Sequence, residues 1–305
     1  MATYNFKKEV KVYIVSDNKR YELLVGPDLS FSQTFTDKTY PQKTLHEQHK
    51  VYKASNIKKA NPANFTFTLP ILEGTELDPI YDLLIKYKNG TYTIDTFDLY
   101  VKTDTDTYKL ETCVITNGTF IIEKLENLKL AISGEASKLL TTGQTLPESP
   151  AVQEISVSNP TRQTVKHLLV TLDNTPLTEA VYKVSVELQN DIKWTAYETV
   201  NDALNVTNAA TLMYPKVFTL EERILSGSVG QYITDTFKGD VQTWKTAIPI
   251  VIKAGNSPSK GVRFNLTNCT FTNRATVDDV FTQSYDWKMN DTSTDDLSSK
   301  ITFNN

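Results

Sequence analysis

The sequence predicts a mainly β chain of two tandem antiparallel β-sandwich or half-barrel domains, residues 1–145 and 146–305, each carrying one short α-helix. Three observations lead there. Short runs that alternate apolar and polar residues, the signature of half-buried strands, recur along most of the chain. A five-residue word, Thr116-Asn117-Gly118-Thr119-Phe120, returns 151 residues later as Thr267-Asn268-Cys269-Thr270-Phe271. The same displacement, with no gap, lays Phe67-Thr68-Leu69 on Phe218-Thr219-Leu220, Tyr81 on Tyr232, Lys102 on Lys253 and Lys109 on Lys260. Between the repeats, Thr141 to Pro150 has the small, polar, proline-bearing composition of a linker. At 305 residues the chain is long enough for two such domains, each burying its own core.

In chain order, Val10, Val12 and Ile14, then Tyr21, Leu23 and Val25, alternate on either side of Asp17-Asn18-Lys19 and predict a β-hairpin. From Ser30 to Asn64 the alternation dissolves. Residues 37–59 carry lysines 38, 43, 50, 53, 58 and 59 against Asp37 and Glu47, a basic stretch read as a solvated loop or as a subunit-contacting arm. Phe65 to Leu69 is a strand ended by Pro70. Asp78-Pro79 then starts a helix with apolar Ile80, Leu83, Leu84 and Tyr87 on one face and Asn89-Gly90 as its stop. Four strands follow, at 97–102, 108–116, 120–123 and 128–133. The second half is expected to repeat this plan: strands near 154–157, 168–172 and 182–188, an irregular stretch at 190–211, a weaker helix from Ser228 with Val229, Tyr232 and Ile233 on one face and Gly239 at its close, and strands at 246–253, 262–267, 271–273 and 281–289. Ile301 and Phe303 could add a last strand to an otherwise loose tail.

Chemistry is sparse. His46 and His49 stand three apart, which misses zinc-protease spacing, and the only other histidine is His167. Asp95 with Asp98, and Asp278 with Asp279, point to opposite faces of a strand and read as solvated or subunit-facing charges. Trp194, Trp244 and Trp287 read as packing residues in preference to a sugar-stacking platform. Under the 151-residue displacement Cys113 falls on Phe264 and Cys269 on Gly118, so the two are expected to be unrelated reduced thiols. The chain has no long apolar run and no apolar leader, so a soluble protein made in a cytoplasm, without membrane anchor, is expected. A net charge of −4 argues against gripping nucleic acid through its phosphates. No catalytic centre, cofactor or metal is predicted.

A duplicated β unit without site chemistry points to assembly, because two linked copies can fill two places of a ring. The order of hairpin, polar arm, strand, helix and further strands, written twice, resembles the tail-tube proteins of long-tailed bacteriophages. Phe218-Thr219-Leu220-Glu221-Glu222-Arg223-Ile224-Leu225-Ser226-Gly227-Ser228 and the paired Thr-Asn-x-Thr-Phe words are similar in style to that family. The resemblance implies a virion subunit, assembled in the host cytoplasm, whose sheets close side by side into rings that stack as a tube. It implies homo-trimeric rings of pseudo-six-fold symmetry, with hexameric rings as the alternative, contacts to other tail proteins, and genomic DNA passing through without specific binding. An inward excess of carboxylates is expected to keep the channel slippery. Lys50, Lys53, Lys58 and Lys59 are the expected contacts of the arm with the next ring. Other readings are a tandem carbohydrate-binding or adhesin module, a glycoside hydrolase, and a terminator or baseplate hub protein.

Overall fold

The alternating runs pair as antiparallel strands into one continuous sheet of sixteen strands that crosses from the first half of the chain into the second. The structure, a computed structural model, describes residues 10–44, 47–73, 78–88, 91–149, 151–155, 161–177, 180–195, 214–234, 247–277, 280–290 and 297–304. The first half contains β1 (Lys11–Ser16), β2 (Lys19–Leu23), β3 (Ser30–Ser32), β4 (Phe35–Thr44), β5 (Glu47–Ala60), β6 (Ala63–Pro70), β7 (Leu72–Glu73), helix α1 (Asp78–Ile85), β8 (Phe97–Lys102), β9 (Thr107–Glu123) and β10 (Lys129–Leu140). A crossing segment carries β11 (Gln153–Ile155) and β12 (Thr161–Arg162). The second half contains β13 (His167–Leu172), β14 (Thr175–Leu177), β15 (Val181–Thr195), β16 (Val217–Tyr232), β17 (Ile248–Ser257), β18 (Lys260–Val277), β19 (Phe281–Met289) and β20 (Ile301–Asn304).

Hydrogen-bonded neighbours run β2, β1, β8, β9, β10, β6, β3 in the first half and β14, β13, β17, β18, β19, β16, β15 in the second. Position by position, the two orders place strands of the same rank in the chain. Each half also opens on a two-residue hairpin closed by Asp-Asn in the left-handed region, with φ of 49° and 59° at Asp17 and Asn18 and 49° and 63° at Asp173 and Asn174. Asp and Asn tolerate that conformation better than other side chains, and it matches the twist of the flanking strands.

Strand register corrects the gapless displacement of 151 residues. Phe97 pairs with Cys113 and Leu99 with Leu110, while Ile248 pairs with Cys269 and Ile250 with Leu266. The β8 and β17 positions keep the 151-residue displacement, yet their partners on β9 and β18 stand 156 apart. Phe65 faces Gly134 where Gly227 faces Trp287, a displacement of 162 between β6 and β16. The connections differ in length, so matching words slide out of structural register. Cys113 and Cys269, expected at unrelated places, therefore hold the same strand position. Each follows a bulge residue with positive φ, Thr112 at 54° and Asn268 at 58°, and each is fully buried. Asp98 Oδ1 accepts from the Thr112 N–H at 3.1 Å, holding the first of these bulges.

Three expected elements differ. Residues 228–232 continue β16 as strand where the helix from Ser228 was expected; the last part of that expected helix, 235–239, lies outside the described residues. Val229 packs in the core opposite Val184, and strand pairing on both sides outweighs the weak helical spacing. The expected loop at 30–64 is largely a two-stranded ribbon, β4 with β5, which among the described residues pairs with no other strand. Strands 107–123 and 260–277 run unbroken through the repeated words because bulges, not turns, absorb the irregularity.

The helix expected from Asp78 is present. Ile80, Leu83 and Leu84 are buried, and Leu84 packs on Gly118, where a Cβ would lie 2.6 Å from its Cδ2. Buried apolar residues from both halves form one contiguous cluster. Aromatic rings bridge it: Phe120 meets Phe264 at 5.1 Å, and Phe303 of β20 stacks on Tyr81 of α1 at 3.7 Å. The last strand suggested by Ile301 and Phe303 thus exists, paired with the start of β18.

Candidate assembly interface

A long strand can change partners along its length. β9 pairs with β8 through its first residues, then hands the same side to β15 of the second half, with Asn117 to Glu123 facing Gln189 to Lys183. Seven ladder pairs make this internal seam. Polar side chains lock it. The Asn117 amide donates to Glu187, and Lys183 pairs with Glu123 at 3.0 Å.

Behind the seam, Arg223 of β16 reaches the C-terminal end of α1. Its Nη1 donates to the Ile85 carbonyl at 2.9 Å and its Nη2 to Leu84 at 3.3 Å, and its guanidinium lies 4.3 Å from the Tyr87 ring centre. Helix C-termini leave carbonyls without intrahelical donors and carry partial negative charge, so a planar cation satisfies both needs. Arg223 Nε also donates to Asn190 Oδ1 at 2.8 Å, and the buried Asn190 donates to the Ile115 carbonyl at 2.8 Å. Helix, β9, β15 and β16 are thereby joined in one polar chain. Nearby, Trp194 Nε1 donates to Glu135 Oε2 at 2.7 Å. Burial pushes the Glu135 carboxyl up, and the Trp194 bond offsets part of that.

The expected linker crosses to the far edge of the sheet, where β11 joins β2 in parallel. Arg20, buried, donates to the Pro147 carbonyl at 2.6 Å and pairs with Glu154 at 2.6 Å. β12 pairs with β7, and Asn256 donates to Glu73 at 2.5 Å, tying the second half to the first again.

Several strand edges have no strand beside them among the described residues, and two of them bear on assembly. One is the outer side of β3, whose only partner is β6. The other is the end of β18 at residues 272–277, paired only with β19. Thr272, Asn273, Arg274 and Ala275 are exposed, and Val280 and Phe281 beside them are 52% and 57% exposed.

The sheet face turned away from the core is rich in hydroxyls and amides. Thr68 and Thr119 flank Ala131, Thr66 and Asn117 flank Ser133, and the Ser185 and Ser228 hydroxyls meet at 2.9 Å. Three of its carboxylates have partners: Glu123 pairs with Lys183, Glu187 accepts from Asn117, and Glu222 lies 3.9 Å from Lys288, while exposed Asp191 stands opposite Glu222.

Other expected site residues fall as follows. Lys53, Lys58 and Lys59 stand on β5 opposite Pro41, Asp37 and Thr36, and Lys50 lies on the irregular part of that strand between Glu47 and Tyr52. Asp98 serves Thr112 and pairs with Lys109 at 3.0 Å; burial alone would lower that lysine, but its bonds to Glu111 and Asp98 hold it above the ordinary lysine value. Asp95 pairs with exposed Lys88 at 3.6 Å. Asp278 and Asp279, His46 and Trp244 lie outside the described residues. Trp287 is buried and Trp194 packs on Phe218, so neither offers an open sugar platform. Among the described residues there is no group of three or more His, Cys, Asp or Glu able to hold a metal, and no helix is long and apolar enough to cross a membrane. The residues that sequence reading missed are Asn190, Arg223 and Glu187; Arg223, a lone cation within a strand-forming run, was the one visible signal.

A family model described as the Bacteriophage Baseplate Tube Protein Family matches residues 2–304. No curated protein matches the chain.

Proposed function

The chain belongs to the bacteriophage baseplate tube protein family, and on that premise we propose that it polymerises edge to edge into rings that stack as a tube for DNA ejection. As a member it is a structural component of the phage tail or baseplate and part of the virion. The observation that carries the finer reading is the internal seam: one half of the chain continues the sheet of the other, and the two halves share a strand order. A unit that joins its like head to tail through a fixed rotation either closes into a ring or runs on as a filament.

In this reading residues 1–145 and 146–305 are two copies of one tube domain, and three chains supply six places around a ring. The hydroxyl-rich face lines the bore. With Lys183 and Lys288 paired to Glu123 and Glu222 and hydroxyls and amides between them, it offers a polyanion little to grip, so DNA slides past without specific binding. The lysines of the β4–β5 ribbon, Lys50, Lys53, Lys58 and Lys59, contact the adjacent ring, and other tail or baseplate proteins meet the ends of the stack. The subunit performs no catalysis and assembles in the host cytoplasm before joining the virion.

Negative-stain electron microscopy of the purified chain tests this. Rings or tubes with a central hole are expected, with a mass per ring of three chains by light scattering. A monodisperse monomer at every concentration overturns it, and rings that never stack point to a single-ring baseplate or terminator role.

A further inference from the structure

We propose that residues 273–277 of β18 form a docking edge for β3 of a second copy of this chain, with Ser32 of one chain opposite Arg274 of the next and Phe31 opposite Ala275. This deepens the ring reading and rests on it. The register follows from the internal seam. There Phe120 faces Val186 and Thr119 faces Glu187. Phe31 pairs with Phe65 as Val186 pairs with Gly227, so β3 occupies in the first half the place of β15 in the second. Gly118 and Phe120 pair with Ile132 and Leu130 as Asn273 and Ala275 pair with Tyr285 and Gln283, so the end of β18 occupies the place of β9 at the seam. The first-half edge that receives β15 is filled; among the described residues its second-half counterpart is not.

A second observation concerns what each edge covers. Phe120 is fully buried, while Ala275 at the matching position is exposed. Leu128, just before β10, is fully buried, and the Gln163 carbonyl of the second half accepts its N–H at 2.8 Å. Phe281 at the start of β19, the matching position, is 57% exposed, with Val280 beside it at 52%. The second half thus leaves uncovered the positions that the first half buries under its neighbour. Open ladder groups and exposed aromatic surface together mark an edge built to be continued, and an incoming first half supplies the cover. A β-strand of other origin would fill the ladder but would not bring that cover.

Cysteine cross-linking tests the register, because directly opposed residues in an antiparallel pair stand close enough for a disulfide and diagonal ones do not. Cys113 and Cys269 are buried and give no background. In the full chain, S32C/R274C should cross-link on oxidation into a ladder that ends at the ring number on a non-reducing gel. S32C/T272C, two residues out of register, should stay monomeric, and T119C/E187C should close within one chain. Mixing the single variants S32C and R274C should give only covalent dimers, which covers the case of a double variant that folds poorly. Rings by electron microscopy with no S32C/R274C cross-link overturn this edge while leaving the tube reading intact. Cross-linked multimers without rings support the edge and overturn the closed ring. Neither rings nor cross-links overturns both.

Discussion

Phe65 lies over Gly134 across the β6–β10 ladder, and the second half reverses the pair, setting Trp287 over Gly227. An aromatic ring over a glycine fills the same space from either strand. A Cβ on Gly134 would lie 2.2 Å from Phe65 Cζ and 2.3 Å from the Val114 carbonyl oxygen; on Gly227 it would lie 2.1 Å from the Ser185 carbonyl oxygen. Gly134→Ala and Gly227→Ala should each destabilise the fold by about 1–3 kcal/mol, read from urea midpoints. Phe65→Ala should rescue Gly134→Ala only in part, because the backbone clash with Val114 remains.

Arg223 joins the halves through α1. Arg223→Ala leaves the Ile85 and Leu84 carbonyls and the buried Asn190 short of a donor, and should cost about 2–3 kcal/mol. Arg223→Lys keeps the charge but loses the fork, and should recover less than half of that. Hydrogen exchange should quicken at residues 78–85 in both variants; unchanged exchange there would mean that Arg223 does not hold the helix.

Burial raises both thiols, Cys113 well above its ordinary value and Cys269 to about 12. A folded pKa above the unfolded one means the unfolded chain gives up its proton first as pH rises. Stability is therefore full below about pH 9 and falls toward pH 12, with a slope approaching 1.4 kcal/mol per pH unit for each thiol. Cys269→Ala should flatten the fall in urea midpoint between pH 9 and 11, and neither native thiol should react with a disulfide reagent until the chain unfolds.

Reversing Lys50, Lys53, Lys58 and Lys59 together to glutamate should abolish tube growth while circular dichroism stays unchanged. Higher salt should shorten wild-type tubes in the same direction, since exposed charge contacts are screened. Filaments of unchanged length in the variant would reject the ribbon as the contact between rings.

The sequence by itself determined the β character, the opening hairpin at Asp17-Asn18, the helix from Asp78-Pro79 and the presence of a repeated plan, because alternation, turn residues and caps act over a few neighbouring positions. It did not determine how the repeats superpose. Cys113 and Cys269 share a position only because bulges at Thr112 and Asn268 and unequal connections reset the register, and such offsets leave no mark in a gapless match. The ribbon at 35–60 was illegible because its sequence does not alternate apolar and polar residues, so only the backbone pairing of β4 with β5 reveals it. Only the tertiary structure decided that β9 would leave β8 for β15, that Arg223 would close a helix 138 positions earlier in the chain, and that the matching edge of β18 would have no strand beside it among the described residues. Those are pairings between distant strands, and the free energy that selects them comes from surfaces that meet only after the sheet has formed.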